Sequence, residues 1–306
     1  MHYSVMKQEV LNNLSIKEDG IYVDGTIGLA GHSSEILKKI KTGHLYGFDQ
    51  DEFAIEKSQE KLKDISNNYT LIHSNFVNMK EELQKLGVEK VDGILLDLGV
   101  SSPQIDNKER GFSFMKDATL DMRMDSRNTL NAKTIVNTYD LNQLLDIFYN
   151  YGEERYSKLI ANKIINYRKN KEIDSTLELV DIIKSSVPVK YFIENHPERK
   201  IFQALRIEVN KELTVLEKVL PDAIHLLNKG GRLVVITFHS LEDRIVKKIF
   251  KEYSEVDDMV RGLPYIPEGY EPLIKLINHK PIVATDKEIN ENSRSKSAKI
   301  RVIERL

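Results

Sequence analysis

Up to Asp97 the chain repeats one pattern, a short apolar run followed by a stretch long enough for a helix, and this alternation restricts the fold more than any other feature. The runs are Ile21 to Asp24, His44 to Asp49, Tyr69 to His73 and Val91 to Asp97. Strands joined by helix-length connections pair in parallel and carry helices on both faces, because a parallel crossover needs a long connection. From Thr138 to Val219 the apolar residues instead recur at helical spacing, as in Leu141, Leu144, Leu145 and Phe148, or Leu177, Val180, Ile182 and Ile183. Strand character returns in Arg232 to Thr237, and the Asn228-Lys229-Gly230-Gly231 before it suits a helix C-cap and turn. Alternation around Leu273 to Ile277 and Ala298 to Glu304 fits two closing strands, an antiparallel pair at one sheet edge. The expected fold class is therefore α/β, a Rossmann-like sheet interrupted by an all-helical subdomain. Residues 1–108 would form the first part of the core, 109–213 the insertion and 214–306 the second part of the core.

Composition narrows the chemistry. Among 306 residues there is no cysteine, which removes disulfides, thiolate zinc sites, iron–sulfur clusters and cysteine nucleophiles. No run approaches the roughly 20 apolar residues a membrane helix needs. The opening stretch, Met1 to Glu9, lacks the basic-then-apolar layout of a signal peptide, so a cytoplasmic protein without membrane contact is expected. A net charge of −2 does not announce a nucleic-acid binder, so local clusters must carry any such reading. One comprises Lys158, Lys163, Arg168, Lys169 and Lys171; the other is the tail with Arg294, Lys296, Lys299, Arg301 and Arg305. On charge alone, a solvated helix face and a soluble tail explain them.

The first strand ends in Asp24-Gly25-Thr26-Ile27-Gly28-Leu29-Ala30-Gly31-His32-Ser33, before a helix read over Glu35 to Ile40. Its spacing, Gly25-x-x-Gly28-x-x-Gly31, is not the tighter Gly-x-Gly-x-x-Gly of dinucleotide binders, and an acid precedes it. Pyrophosphate wants bare amides, whereas a sulfonium cofactor with an amino-acid tail also tolerates a carboxylate such as Asp24. The second strand ends in Asp49, placed to accept both ribose hydroxyls of a nucleoside; capping the next helix is its bland alternative, with Asp51 competing for that job. After the third strand, Phe76 could pack on an adenine and Asn75 supply polar contacts, or Phe76 could simply be core. In an open α/β sheet these strand ends share the ligand-binding edge.

The fourth strand delivers Asp97-Leu98-Gly99-Val100-Ser101-Ser102-Pro103-Gln104 to that edge. An amine conjugated to a pyrimidine ring is a poor nucleophile, and acceptors that hold its N–H groups, such as Asp97 with Ser101 nearby, can turn its lone pair toward a methyl donor. Methylation at pyrimidine C5 by the usual route is closed for want of a cysteine. The bland reading of Asp97 is a helix cap. His239, in Thr237-Phe238-His239-Ser240-Leu241-Glu242-Asp243-Arg244, could donate to a substrate phosphate or base, while Ser240 with Asp243 could be no more than a cap. No metal is expected, since no second histidine stands at helical spacing. In the insertion, Asp121-Met122-Arg123-Met124-Asp125, with Arg199, Lys200 and Arg206 around Phe202 and Gln203, suits a single-stranded RNA surface, although alternating methionines are more often core.

With these residues in place, the chain resembles the bacterial 16S rRNA cytosine-N4 methyltransferases of the RsmH (MraW) type. The matching stretches are Asp24 to Ser33, Asp97 to Gln104, Arg110-Gly111-Phe112-Ser113-Phe114 with Leu120 to Asp125, Glu198 to Leu213, Gly230 to Lys247 and Ser293 to Arg305. The resemblance implies a class I S-adenosylmethionine methyltransferase core with a helical substrate-recognition insertion. Its implied partner is small-subunit ribosomal RNA, within the assembled small subunit and at a decoding-site cytosine; a homodimer stays open. It also implies that Ala30, Gly31, His32, Asp49, Phe76, Asp97 and Gln104 contact S-adenosylmethionine, beside the Asp24 and Gly28 already singled out. Ala30 stands where the family commonly has glycine, Ala118-Thr119 where it has Gly-Pro, and the Asp/Asn-Pro-Pro-aromatic motif of many amino methyltransferases is missing. Two rival readings are a nicotinamide-dependent oxidoreductase and a noncatalytic ribosome-assembly factor.

Overall fold

The computed structural model describes residues 4–256, 259–267 and 269–306, so Met1 to Tyr3 of the opening stretch lie outside the described residues. The chain divides into two compact units, one of residues 1–99 with 213–306 and one of residues 100–212.

In the first unit α1 (Lys7–Leu14) precedes four strand–helix steps: β1 (Ile21–Asp24), α2 (Gly31–Lys39), β2 (His44–Asp49), α3 (Glu52–Leu62), β3 (Tyr69–His73), α4 (Met79–Lys85) and β4 (Val91–Asp97). The second unit holds α5 (Ser102–Asp106), α6 (Ala132–Thr138), α7 (Leu141–Asn150), α8 (Ser157–Arg168), α9 (Thr176–Ser186), α10 (Val189–Asn195) and α11 (Pro197–Asn210). After α12 (Glu212–Leu226) the first unit is completed by β5 (Leu227–Thr237), α13 (Ser240–Ser254), β6 (Ile274–Leu276), β7 (Ile282–Val283), α14 (Asp286–Glu291) and β8 (Lys299–Arg305).

Among the described residues the strands form one sheet in the order β3-β2-β1-β4-β5-β8-β6, with β7 also on β8. The pairings from β3 to β5 are parallel, and β8 runs antiparallel to β5, β6 and β7. Successive residues of the central strands enter opposite cores. Ile94 and Leu96 of β4, with Leu233 and Val235 of β5, meet Leu216, Val219, Leu220 and Ala223 of α12 and Phe250 of α13. Leu95, Val234 and Ile236 face the other way, toward Val10 and Leu14 of α1 and Ile36 and Leu37 of α2. Burial on both faces is why these strands read as continuous apolar runs rather than as alternation.

The four early strands match the predicted ones residue for residue, and both closing strands appear, with β7 an addition. The helix read from Glu35 begins earlier, at Gly31. Asn228 to Gly231 is not a helix cap but the start of β5, where pairing steps from Val91–Leu227 to Gly93–Arg232. The extra residues bulge out through Gly230 at φ +78°, and a Cβ on Gly231 would lie 2.9 to 3.2 Å from the carbonyl oxygens of Asn228, Asp92 and Val91. A C-cap and a bulge built on a left-handed glycine, such as Gly230, both use positive φ, so glycines there signal either.

The second unit is helical, as its spacing predicts, and carries its own core around Phe148, Ile160, Ile183, Ile201 and Leu205. Met122 joins that core and Met124 is also buried. The cations read as an RNA surface are largely engaged within the unit. Arg123 forks onto Asp121 at 2.7 and 2.8 Å, Arg206 onto Glu212 at 2.9 and 3.0 Å, and Lys171 pairs with Glu178. Nor is the basic C-terminal segment a loose tail, since Arg301 in β8 is buried against Asp243.

Buried Asn210 ties the loop before α6 to α11: its Oδ1 accepts from the Met124 N–H at 2.8 Å, and its Nδ2 donates to the Met122 and Arg206 carbonyls at 2.8 and 2.9 Å. Asn210→Ala orphans these groups, so urea denaturation of the full chain should show a loss of about 2 to 3 kcal/mol.

Candidate active site at the carboxyl edge of the sheet

Because β1, β2, β3 and β4 are parallel, their last residues, Asp24, Asp49, His73 and Asp97, end at one edge. The turn after β1 is stitched to its neighbours. The Gly25 N–H donates to the Leu95 carbonyl and the Ile27 N–H to that of Phe48, each at 2.9 Å. Buried Asp24 accepts from the Thr26 N–H at 3.1 Å and from Ser33 Oγ at 2.6 Å, so its carboxylate pins the first turn of α2. Gly31 opens α2 close against Ser4, whose Oγ would have to rotate away from a Cβ placed there. The amides of this first helical turn point their positive ends toward the edge.

Asp49 accepts from the Gly28 N–H and from the Asp51 N–H, both at 2.9 Å. Asp51, not Asp49, caps α3, accepting from the Phe53 N–H at 3.2 Å. Burial pushes the Asp49 carboxyl up to about 6, outweighing those two amides, and the charges of Asp51 and Asp24 push the same way. Asp24 is likewise raised, by burial first, against the Ser33 hydrogen bond and with Asp97 adding to the rise. Phe76 is half-buried and leads the short helical turn after β3. Asn75 is not free for a ligand: it caps that turn by accepting from the Val77 N–H and donates to Gln50 Oε1 at 2.8 Å.

Asp97 caps no helix. Its N–H donates to Thr26 Oγ1 at 2.7 Å, which fixes the backbone, while its Oδ2 lies 3.6 Å from Nε2 of buried His32. Its Oδ1 and both His32 nitrogens are withdrawn from water without a hydrogen-bond partner among the described residues. Buried polar atoms are nearly always satisfied, which makes the end of β4 a candidate ligand position. His32, which the resemblance implies as a cofactor contact, lies beside Asp97, while Thr26 and Ser33 hold Asp97 and Asp24, tasks that sequence reasoning did not give them. The Asp24-x-Thr26 turn was the available signal for Thr26.

Ser101, Gln104 and His239 each take part in a helix cap. Ser101 and Gln104, in the second unit, form the capping box of α5, the Ser101 N–H donating to Gln104 Oε1 at 2.9 Å. His239 caps α13: its Nδ1 accepts from the Glu242 N–H at 3.4 Å, and its Nε2 faces Glu242 Oε1 at 3.2 Å. Ser240 with Asp243 is thus not the cap, and Asp243 instead holds Arg301 at 2.6 and 3.1 Å.

A parallel sheet whose first, second and fourth strands end in acids, beside a tight turn and a helix start, defines a Rossmann-like protein suited to a ligand with paired hydroxyls and positive charge. The chain belongs to the MraW methylase family, whose model matches residues 1–306. It is 51% identical over 306 residues to the ribosomal RNA small subunit methyltransferase H of Exiguobacterium sibiricum, covering 100% of this chain and 98% of that one. To the protein of the same name from Lactobacillus delbrueckii subsp. bulgaricus it is 50% identical over 311 residues, covering 100% and 99%. This membership removes the nicotinamide reading, in line with the wider glycine spacing.

Since Asp49 titrates near 6 in the fold against 3.8 ordinarily, the folded chain keeps a proton that the unfolded chain has released between those values. Stability from this group therefore falls as pH rises through that window and is flat above it. The stability of wild type relative to Asp49→Asn should drop by about 1 to 3 kcal/mol between pH 4 and pH 7 in chemical denaturation. A pH-independent difference would show that Asp49 is not so constrained.

Proposed function

We propose that the protein transfers the methyl group of S-adenosylmethionine to the exocyclic N4 of a cytosine in small-subunit ribosomal RNA, acting in the cytoplasm on the assembled small subunit. The observation that carries this reading is Asp97, a carboxylate with a fixed backbone and an unpartnered, buried Oδ1 at the edge where the other acids gather. The names of the relatives support the ribosomal substrate. Among the described residues no helix is long and apolar enough to cross a membrane.

The residues fit the methyl donor. Asp49, once ionised, accepts two ribose hydroxyls; the charges of Asp24 and Asp97 favour a sulfonium and an ammonium; the turn through Gly28, Ala30 and Gly31 offers backbone; and Phe76 offers a ring face for adenine. When bound, the donor supplies an electrophilic methyl group. What the chain adds is orientation. The Asp97 carboxylate accepts an N–H of the amine, which turns the nitrogen lone pair out of conjugation, and it receives the proton shed as the N–CH3 bond forms. No cysteine is needed, and none is present.

Labelled methyl should pass to small subunits that lack the modification, and nucleoside digestion should return N4-methylcytidine. Asp97→Ala should slow transfer by at least about 100-fold with the fold intact by circular dichroism. Label in another nucleoside would refute the N4 assignment, and RNA binding without transfer would favour the noncatalytic factor.

A further inference from the structure

We infer that Arg199 over Phe114 and Arg155 over Tyr156 are two stacking sites for unpaired nucleotides of the RNA substrate, each guanidinium pairing with a phosphate at its edge and carrying a base on its plane. The inference rests on the ribosomal substrate proposed above and gives that RNA a defined place on the helical unit.

The helical unit contains seven arginines, and the way each is held separates them. Arg123, Arg127 and Arg206 fork onto Asp121, Asp125 and Glu212, while Arg110 and Arg168 donate to backbone carbonyls. These five order the unit. Arg155 and Arg199 are exposed, and among the described residues their guanidinium groups make no hydrogen bond or ion pair. Each lies over a ring instead: Cζ of Arg199 is 5.8 Å from the centre of Phe114, and Cζ of Arg155 is 5.8 Å from that of Tyr156. A second ring stands nearly edge-on to each first one, Phe202 to Phe114 at 5.8 Å and 80°, Tyr191 to Tyr156 at 4.5 Å and 66°.

The rings are fixed by the fold and not by the arginines. Buried Glu154 accepts from the Tyr156 N–H and from the Tyr191 hydroxyl, both at 2.8 Å, and pairs with Lys200 at 3.3 Å. Lys200 is thereby engaged, whereas Arg199, its neighbour at the start of α11, is left to solvent. Phe114 in turn packs on the core that holds Phe202. A guanidinium resting on a ring keeps its N–H edge outward, where two phosphate oxygens can accept from it, and no carboxylate competes for that edge. Its plane is already partly ordered, so a base stacks on it with little further loss of freedom. Met115, next in the chain after Phe114, is 75% exposed and adds apolar surface beside that site. Unpaired RNA presents phosphates and base faces together, whereas a duplex hides the faces in its stack. The two sites border one turn of α11 and are joined through the Lys200–Glu154 pair, which suits nearby nucleotides of one strand.

The test measures binding alone, of a labelled oligocytidylate of about 12 nucleotides and of small subunits that lack the modification. Arg199→Gln and Arg155→Gln should each weaken both by about 5- to 50-fold, and the double variant more than either. On the oligonucleotide each should also lower the slope of log affinity against log salt by about 0.7, the share of one phosphate contact. Arg199→Lys and Arg155→Lys should keep that slope yet stay at least about threefold weaker than wild type, because an ammonium has no plane to stack on. Lys184→Gln, which removes an exposed cation elsewhere on the unit, should cost far less. Full affinity in the double variant would overturn the inference. So would full rescue by lysine or an equal loss in Lys184→Gln, either of which reduces the effect to bulk charge. A loss confined to one ligand would overturn it as well, and if that ligand is the subunit the stacks meet a protein partner. Should wild type transfer no methyl group to N4, the proposed function falls while these titrations still decide the two sites.

Discussion

Asp24 is buried and Asp49 half-buried at the edge of a parallel sheet, and both are held where the charged form is disfavoured. Parallel pairing forces this. When strands run the same way, whatever ends them is gathered at one place, so acids at the tips of β1, β2 and β4 become neighbours across distant sequence. Ser33 and the amides of Thr26, Gly28 and Asp51 compensate only in part. The unmet demand for donors and for positive charge is what a ligand carrying hydroxyls and a cation relieves. The free chain is thus less stable at this edge than its packing would allow, and that deficit becomes affinity when the donor arrives.

The second unit obeys a different constraint. A helical unit of about a hundred residues must build its own core, and here the methionines and aromatics that could have faced RNA are partly drawn inward: Met122 is buried and Phe202 nearly so. Several of its arginines are held on carboxylates or backbone carbonyls, as in the Arg123 contacts with Asp121, Ser126 and Asn128, whereas Arg155 and Arg199 lie over the rings of Tyr156 and Phe114. An arginine fixed in this way orders a loop first and meets phosphate only with its outer edge. A chain with net charge −2 and paired cations cannot rely on a broad electrostatic field for RNA affinity. Recognition through shape and a few contacts suits a structured particle better than free RNA.

The strands were legible because both faces of the sheet are buried, which writes each central strand as an unbroken apolar run. The bulge at Asn228 to Gly231 was not, because its physical requirement, positive φ at a glycine, is shared with the helix cap it was taken for. The caps were half legible. Asp49 and Asp51 competed for α3 on equal terms in sequence, and only the fold, by directing Gly28 N–H onto Asp49, decides between them. His239 caps α13 through Nδ1, where the sequence pointed to Ser240 because serine is the commoner cap. Least legible were the supports of the site. Thr26 serves Asp97 across 71 residues, and His32 faces it across a comparable span, so no local pattern could announce either.

Ala30 brings these levels together. Glycine is usual there in the resembling family, and the backbone shows why, since Ala30 sits in the left-handed region at φ +52°. For a residue with a Cβ that conformation costs about 1 to 2 kcal/mol. The methyl group, however, is fully buried and belongs to the cluster that includes Val5, Ile36, Leu37 and Leu45. Burying a methyl recovers on the order of 1 kcal/mol, and alanine also leaves the unfolded chain less freedom than glycine would. The two sides nearly cancel, so the turn keeps its geometry while the side chain changes. Its shape is imposed from outside, by Asp49 on the Gly28 amide and by Asp24 on Ser33, and a turn held at both ends by carboxylates does not depend on glycine at its midpoint to remain a turn.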